Sequence, residues 1–123
     1  MPPPVQKKSY GSVTVFWLDR EAAVEELTRA ARALVEDDPN VRSVRLFGSL
    51  MTGKATAASD ADLLLVLEES DLPLLDRPAR YSRFFADVGM PVDLFVYTRR
   101  EIERAPTPIA ECALAASVRL AGR

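Results

Sequence analysis

Gly48-Ser49-Leu50-Met51-Thr52-Gly53, followed five residues later by Ser59-Asp60-Ala61-Asp62 and the run Leu63-Leu64-Leu65-Val66-Leu67, is the stretch on which the reading of this chain turns. The run is apolar on both faces, which predicts a strand over Asp60–Leu67 in the middle of a sheet. Asp60 and Asp62 are two apart in an extended chain. Their side chains therefore leave the same face, with Cα atoms roughly 6–7 Å apart. Two carboxylates that close repel each other unless a cation lies between them. Val41–Phe47 reads as the preceding strand, with Val44 and Leu46 on one face and Ser43, Arg45 and Phe47 on the other. Gly48-Ser49 breaks it. Gly48 lets the main chain approach a ligand, Ser49 offers a hydroxyl and an N–H, and a helix starting there attracts phosphate. Leu50–Ala57 reads as a short helix or a loop.

Working outward, Ser12–Leu18 is β-branched and aromatic, so it predicts a short strand. Asp19 is a fitting N-cap for a helix that runs to about Asp37, with Ala23, Val24, Leu27, Ala31, Leu34 and Val35 at helical spacing. Downstream, a helix is expected from Asp71 to about Val88, with Tyr81, Phe84, Phe85 and Val88 as its apolar stripe. A strand follows over Pro91–Tyr97. Short helices at Arg99–Arg104 and Ile109–Ala116 and an edge strand at Val118–Leu120 complete the chain. The expected architecture is an α/β (α+β) sandwich on one mixed sheet. Residues 1–10, with their three prolines and two lysines, read as a flexible tail, and residues 11–123 as a single domain.

Composition narrows the chemistry. The chain has 123 residues, 48% of them hydrophobic, with a net charge of −2 and a pI near 5.2. It shows no basic stripe of the kind that meets nucleic-acid phosphates, and it leaves no room for the extra domains that hold a template. There is no histidine. This removes Ser-His-Asp and Cys-His catalysis and histidine-ligated zinc, and leaves oxygen ligands for any metal, which points to Mg²⁺, Mn²⁺ or Ca²⁺. The lone cysteine, Cys112, is expected to pack as a small buried thiol. The longest apolar run is too short to span a bilayer, and the N-terminus lacks the apolar core of a signal peptide, so a cytoplasmic protein is the expectation.

Asp93 stands in the strand Val92-Asp93-Leu94-Phe95, which should pair beside Asp60 and Asp62. Burying a carboxylate among such neighbours is costly without a partner. Taken singly, an Asp-x-Asp marks a turn, Gly-Ser marks a loop, Asp93 is a satisfied core carboxylate and Lys54 is a solvated charge. Together, the three aspartates facing one spot make a site for one or two divalent cations, the usual apparatus of in-line phosphoryl or nucleotidyl transfer. Lys54 is placed to add positive charge near a triphosphate.

The pattern Gly48-Ser49, Gly53, Ser59-Asp60, Asp62-Leu63 and Val66, with Asp93 as a third carboxylate, resembles the signature of the minimal nucleotidyltransferases, a branch of the polymerase-β-like superfamily. The resemblance covers roughly residues 20–121. It implies that Gly48 and Ser49 hold the β and γ phosphates of an NTP, ATP being the expected one. It implies that Asp60 and Asp62 ligate two Mg²⁺ ions, and that Asp93 ligates the catalytic one and helps to activate the acceptor hydroxyl. One departure stands out: many members carry arginine between Gly-Ser and the next Gly, where this chain has Leu50, Met51 and Thr52. Stand-alone members resemble the antitoxins of two-gene modules, whose partner is a helical HEPN-domain toxin that the antitoxin binds or adenylylates on a hydroxyl. The resemblance thus implies an Mg²⁺-dependent adenylyltransferase antitoxin with a toxin partner, without DNA template or membrane, its oligomeric state left open. A contact-only antitoxin and an enzyme that nucleotidylates a small molecule such as an antibiotic are the alternatives.

Overall fold

The computed structural model describes residues 3–11, 13–55 and 59–123. Ser12 at the start of the first expected strand, and residues 56 and 57 of the expected loop or short helix, lie outside these, as do residues 1 and 2. Strand β1 (Val5–Tyr10) and strand β2 (Val13–Leu18) form an antiparallel hairpin. Helix α1 (Arg20–Asp37) follows, then β3 (Val41–Phe47), the single turn α2 (Ser49–Thr52) and β4 (Ala61–Leu67). A short helix α3 (Arg77–Tyr81) lies in the crossover to β5 (Val92–Thr98), and α4 (Arg99–Arg104), α5 (Pro108–Ala115) and β6 (Val118–Gly122) end the chain.

The main sheet has the order β5-β4-β3-β6 and is mixed, as expected. β4 pairs parallel with β5, while β3 is antiparallel to both β4 and β6. β4 is interior, and its burial follows from its sequence. Leu63, Leu65 and Leu67 point to α1 and pack with Leu27, Ala31 and Leu34. Leu64 and Val66 point the other way, into a second cluster with Phe47, Tyr97, Ala110 and Ala113 beneath α5. Each fully buried leucine contributes ~1.5–3 kcal/mol relative to exposure. Asp19 caps α1 as its position suggests, its carboxylate accepting from the Ala22 amide at 3.1 Å.

Three expectations need correction. The tail expected over residues 1–10 is a strand in its greater part: Val5–Tyr10 is laddered onto β2, and Pro4 is fully buried next to Gly89. Gln6-Lys7-Lys8-Ser9 carries no strand pattern of its own, so only the partner strand and the docking of Pro4 determine its conformation. This hairpin is a separate two-stranded sheet, so the expectation of one sheet fails for β2. The helix expected over Asp71–Val88 is broken into a 3-10 turn (Leu74–Asp76), α3 and a second 3-10 turn (Ser82–Phe85). Tyr81 and Phe85 still reach the core from it.

The crossover is held by a buried arginine. Arg77, 5% exposed, donates through Nε to the Leu72 carbonyl at 2.9 Å and through Nη1 to the Val96 carbonyl at 3.2 Å. Its fork also grips both oxygens of Glu101, at 2.6 and 3.0 Å. Glu101 closes a capping box on α4 with Thr98. Cys112, against expectation, is exposed, because α5 turns Ala110 and Ala113 inward.

Candidate active site

The site forms where β3, β4 and β5 meet at one end of the sheet. Asp62 is the central residue. Its Cα partners are Phe47 on β3 and Asp93 on β5, so the residue before Gly48, the second aspartate of the pair and the third carboxylate stand side by side across three strands. Adjacent strands lie about 4.8 Å apart, which is the spacing between the Asp62 and Asp93 backbones. Asp60 lies one residue ahead of β4, on the same side as Asp62.

Gly48 ends β3 with φ 77° and ψ −156°, a conformation that L side chains rarely adopt. Its Cα faces the Asp62 side chain closely enough that a β-carbon there would lie 3.2 Å from Cγ and nearer still to Oδ2. The chain then turns once through α2. The Thr52 amide donates to the Gly48 carbonyl at 3.1 Å, and Gly53 closes the turn in the left-handed region at φ 80°. The Lys54 amide donates to the Ser49 carbonyl at 3.0 Å. Lys54 thus has a main-chain role in closing the turn, and its side chain is exposed.

Sequence reasoning missed Arg20. From the first position of α1 its Nε donates to the Leu50 carbonyl at 2.8 Å and its Nη2 to the Met51 carbonyl at 3.0 Å. A guanidinium from another element therefore fixes the turn where arginines within the loop are absent. A contact thirty residues apart in sequence leaves no local signal.

The electrostatics follow from the crowding. Burial pushes the Asp62 carboxyl above its usual range, and the charges of Asp93 and then Asp60 push it further. Asp93 is also raised, first by desolvation at the strand, then by the charge of Asp60 and a hydrogen bond with it. As a residue, however, Asp93 is exposed, which corrects the expectation of a carboxylate buried among Val92, Leu94 and Phe95. At this end of β5 the outer face of the sheet is open. Among the described residues no lysine or arginine is ion-paired with Asp60, Asp62 or Asp93.

Among the described residues no group of three or more aspartate, glutamate, histidine or cysteine side chains is already arranged to hold a metal ion. The three aspartates are nonetheless neighbours by register and by mutual repulsion, and they offer only hard oxygen donors. That donor set suits Mg²⁺ or a similar divalent cation.

Comparison with known proteins agrees with this geometry. The profile of the nucleotidyltransferase domain family matches residues 27–113, which include Gly48, Ser49 and all three aspartates. A protein of Methanocaldococcus jannaschii, provisionally named a protein adenylyltransferase, is 26% identical over 88 residues, 65% of this chain and 88% of the relative. A crystal structure from Sulfolobus solfataricus, provisionally named a nucleotidyltransferase, superposes with a TM-score of 0.62 at 23% identity, covering 85% of this chain and 84% of that one. A toxin–antitoxin crystal structure with AMP-PNP superposes at 0.59 and 19% identity, over 81% and 73% of the two chains. A crystal structure of the toxin–antitoxin MntA-HepT superposes at 0.53 and 16%, over 84% and 73%. The structural likenesses speak for the fold, and the family match carries the assignment. The chain belongs to the nucleotidyltransferase domain family.

Proposed function

We propose that this nucleotidyltransferase moves AMP from ATP onto a hydroxyl of a partner protein, and that the partner is a HEPN-type toxin that it restrains. The observation that carries the catalytic part is the row Gly48, Asp62, Asp93 with Asp60 beside it, carboxylates crowded together with no ion-paired lysine or arginine among the described residues. The acceptor reading is supported by the name of the M. jannaschii relative and by the toxin–antitoxin complexes that share the fold.

In this reading Gly48 admits the triphosphate against the main chain, and Ser49 supplies a hydroxyl and an N–H to its β and γ phosphates. Asp60 and Asp62 would hold two Mg²⁺ ions and Asp93 one of them. When bound, such ions neutralise charge on the triphosphate and on the departing pyrophosphate. Asp93, exposed at the edge strand, faces the acceptor and takes up the proton of its hydroxyl. The acceptor oxygen bonds to the α-phosphorus as the bond to the bridging oxygen breaks, and pyrophosphate leaves. The protein contributes position and charge, and forms no covalent bond of its own.

Incubation with Mg²⁺ and ATP labelled in its α-phosphate, in a lysate of the source organism, tests the reading. A labelled protein band that vanishes with Asp93→Asn supports it. No labelled macromolecule with any NTP, in Mg²⁺ or Mn²⁺, would defeat it. The contact-only alternative draws on the missing loop arginines. Asp60→Asn separates the two, since it abolishes transfer and spares toxin inhibition only if contact suffices.

A further inference from the structure

Away from the carboxylates, the sheet gathers arginines that are scattered in the sequence. Arg42 and Arg45 on β3, Arg99 at the start of α4, and Arg119 and Arg123 at the end of the chain line one open recess of about 230 Å³ together with Ser43 and Val66. Val66 is on the same face as Asp62, four residues along β4, or roughly 13 Å. The recess is therefore on the catalytic face of the sheet, at its opposite end.

This grouping is unfavourable without a counter-charge. Arg45 and Arg119 are direct partners across the β3–β6 ladder, where like charges repel. Arg45 meets the Ser117 hydroxyl at 3.4 Å, and Arg119 donates to the main-chain oxygen of Arg123 at 2.8 Å. Among the described residues, Arg45, Arg119 and Arg123 make no ion pair with a carboxylate side chain. Glu68 bridges Arg42 at 3.3 Å and Arg99 at 3.0 Å, and Glu103 reaches Arg99 at 3.9 Å. Four guanidinium groups, those of Arg42, Arg45, Arg99 and Arg119, thus share the two carboxylates of Glu68 and Glu103, while that of Arg123 is taken up by the Val35, Asp38 and Val41 carbonyls.

We infer that this recess is a second anion site, which takes a compact polyphosphate such as the triphosphate tail of a nucleotide. Guanidinium forks match phosphoryl oxygens bidentately, and groups from three separate elements converge on one small volume. The basic field is bounded. Glu68 and Glu103 stand on the α4 side, and Glu36, Asp37 and Asp38 at the end of α1, where the Arg123 guanidinium donates to the Val35 and Asp38 carbonyls. A nucleic-acid strand would need the stripe to continue, and the Phe95 and Tyr97 rings on this face are packed beneath α4 and α5 and cannot stack on bases. The site stands independently of the acceptor proposed above.

Titration of the full chain with inorganic tripolyphosphate, in buffer containing EDTA to remove divalent cations, tests the inference. One binding event is expected, weakened at least ~10-fold by Arg45→Gln/Arg119→Gln and unchanged by Asp62→Asn. Amide NMR of the unaltered protein supplies a readout that needs no variant: resonances of Ser43, Arg45 and Arg119 should move and that of Ser49 should not. Absence of binding, or shifts confined to Gly48 and Asp62, would overturn the inference. So would a twelve-nucleotide RNA or an acidic peptide that binds the same arginines more tightly than tripolyphosphate, since the occupant would then be a macromolecule.

Discussion

The Cα of Gly48 faces the carboxylate of Asp62 with no room for a side chain between them. The glycine that ends β3 and the aspartate at the centre of the site are thus one fitted pair, and its consequence can be measured. Gly48→Ala must strain a backbone at φ 77° and displace a short carboxylate that cannot swing clear without leaving its place. The strain costs about 1–3 kcal/mol. Transfer should fall at least ~100-fold, the usual effect of misplacing a catalytic group by about 1 Å. Thermal denaturation and single-turnover labelling report the two effects, and full activity in Gly48→Ala would show that Asp62 is not held by this contact.

Asp62→Asn should abolish transfer and stabilise the metal-free protein. The folded-state pKa values of Asp62 and Asp93 are raised, so the native state holds protons that the unfolded chain releases. Stability from this source is present below the ordinary carboxylate pKa of about 4 and is lost as pH rises through the folded values. Urea denaturation with EDTA should therefore show the variant above the parent at pH 7, with the difference closing near pH 3. Mg²⁺ should raise the melting temperature of the parent and leave Asp62→Asn nearly unmoved. An equal response in both would remove Asp62 from the proposed metal site.

Arg20 fastens α1 to the turn after Gly48 through two carbonyls. Arg20→Ala should raise the KM for NTP about 10-fold through a loosened phosphate turn, from two lost hydrogen bonds worth ~0.5–1.5 kcal/mol each. Arg20→Lys should restore only part of this, because an ammonium cannot span both carbonyls as a fork does. A fall in kcat at unchanged KM would place Arg20 in the chemical step instead.

Arg77→Ala leaves the Leu72 and Val96 carbonyls without the Arg77 donor and the Glu101 carboxylate with only the Thr98 amide. A loss of ~2–3 kcal/mol is expected by chemical denaturation. The Arg77 hydrogen bond, aided by the Thr98 amide, holds Glu101 below the usual carboxylate range, against a smaller opposing effect of burial. This pair therefore stabilises the fold above the unfolded pKa of glutamate and ceases to do so as pH falls through the lower folded value. Glu101→Gln should flatten that part of the acid-stability profile. A profile that does not change would exclude the pair as an acid-sensitive tie.

Much of this protein was legible in one dimension. The unbroken apolar run after Asp62 can be buried on both faces only inside a sheet, so β4 and its central position followed from side-chain chemistry alone. The alternation in β3 and the i, i+4 spacing of α1 did the same for its neighbours, and the two-residue spacing put Asp60 and Asp62 on one face. The family resemblance was legible for the same reason, because its phosphate turn and acidic pair are contiguous. What the tertiary structure decided are relationships between distant segments. Lys7 and Lys8 are in a strand because β2 provides a ladder and Pro4 a docking point. Asp93 is exposed because the sheet face is open at its end of β5. Arg20 reaches Leu50 and Met51 because α1 packs beside the turn after β3, and arginines of β3, α4 and the end of the chain line one recess because strand order brings β3 and β6 together. Periodicity records which face a residue takes within its own element. It holds no record of which element lies opposite, since that choice belongs to the packing of the whole chain.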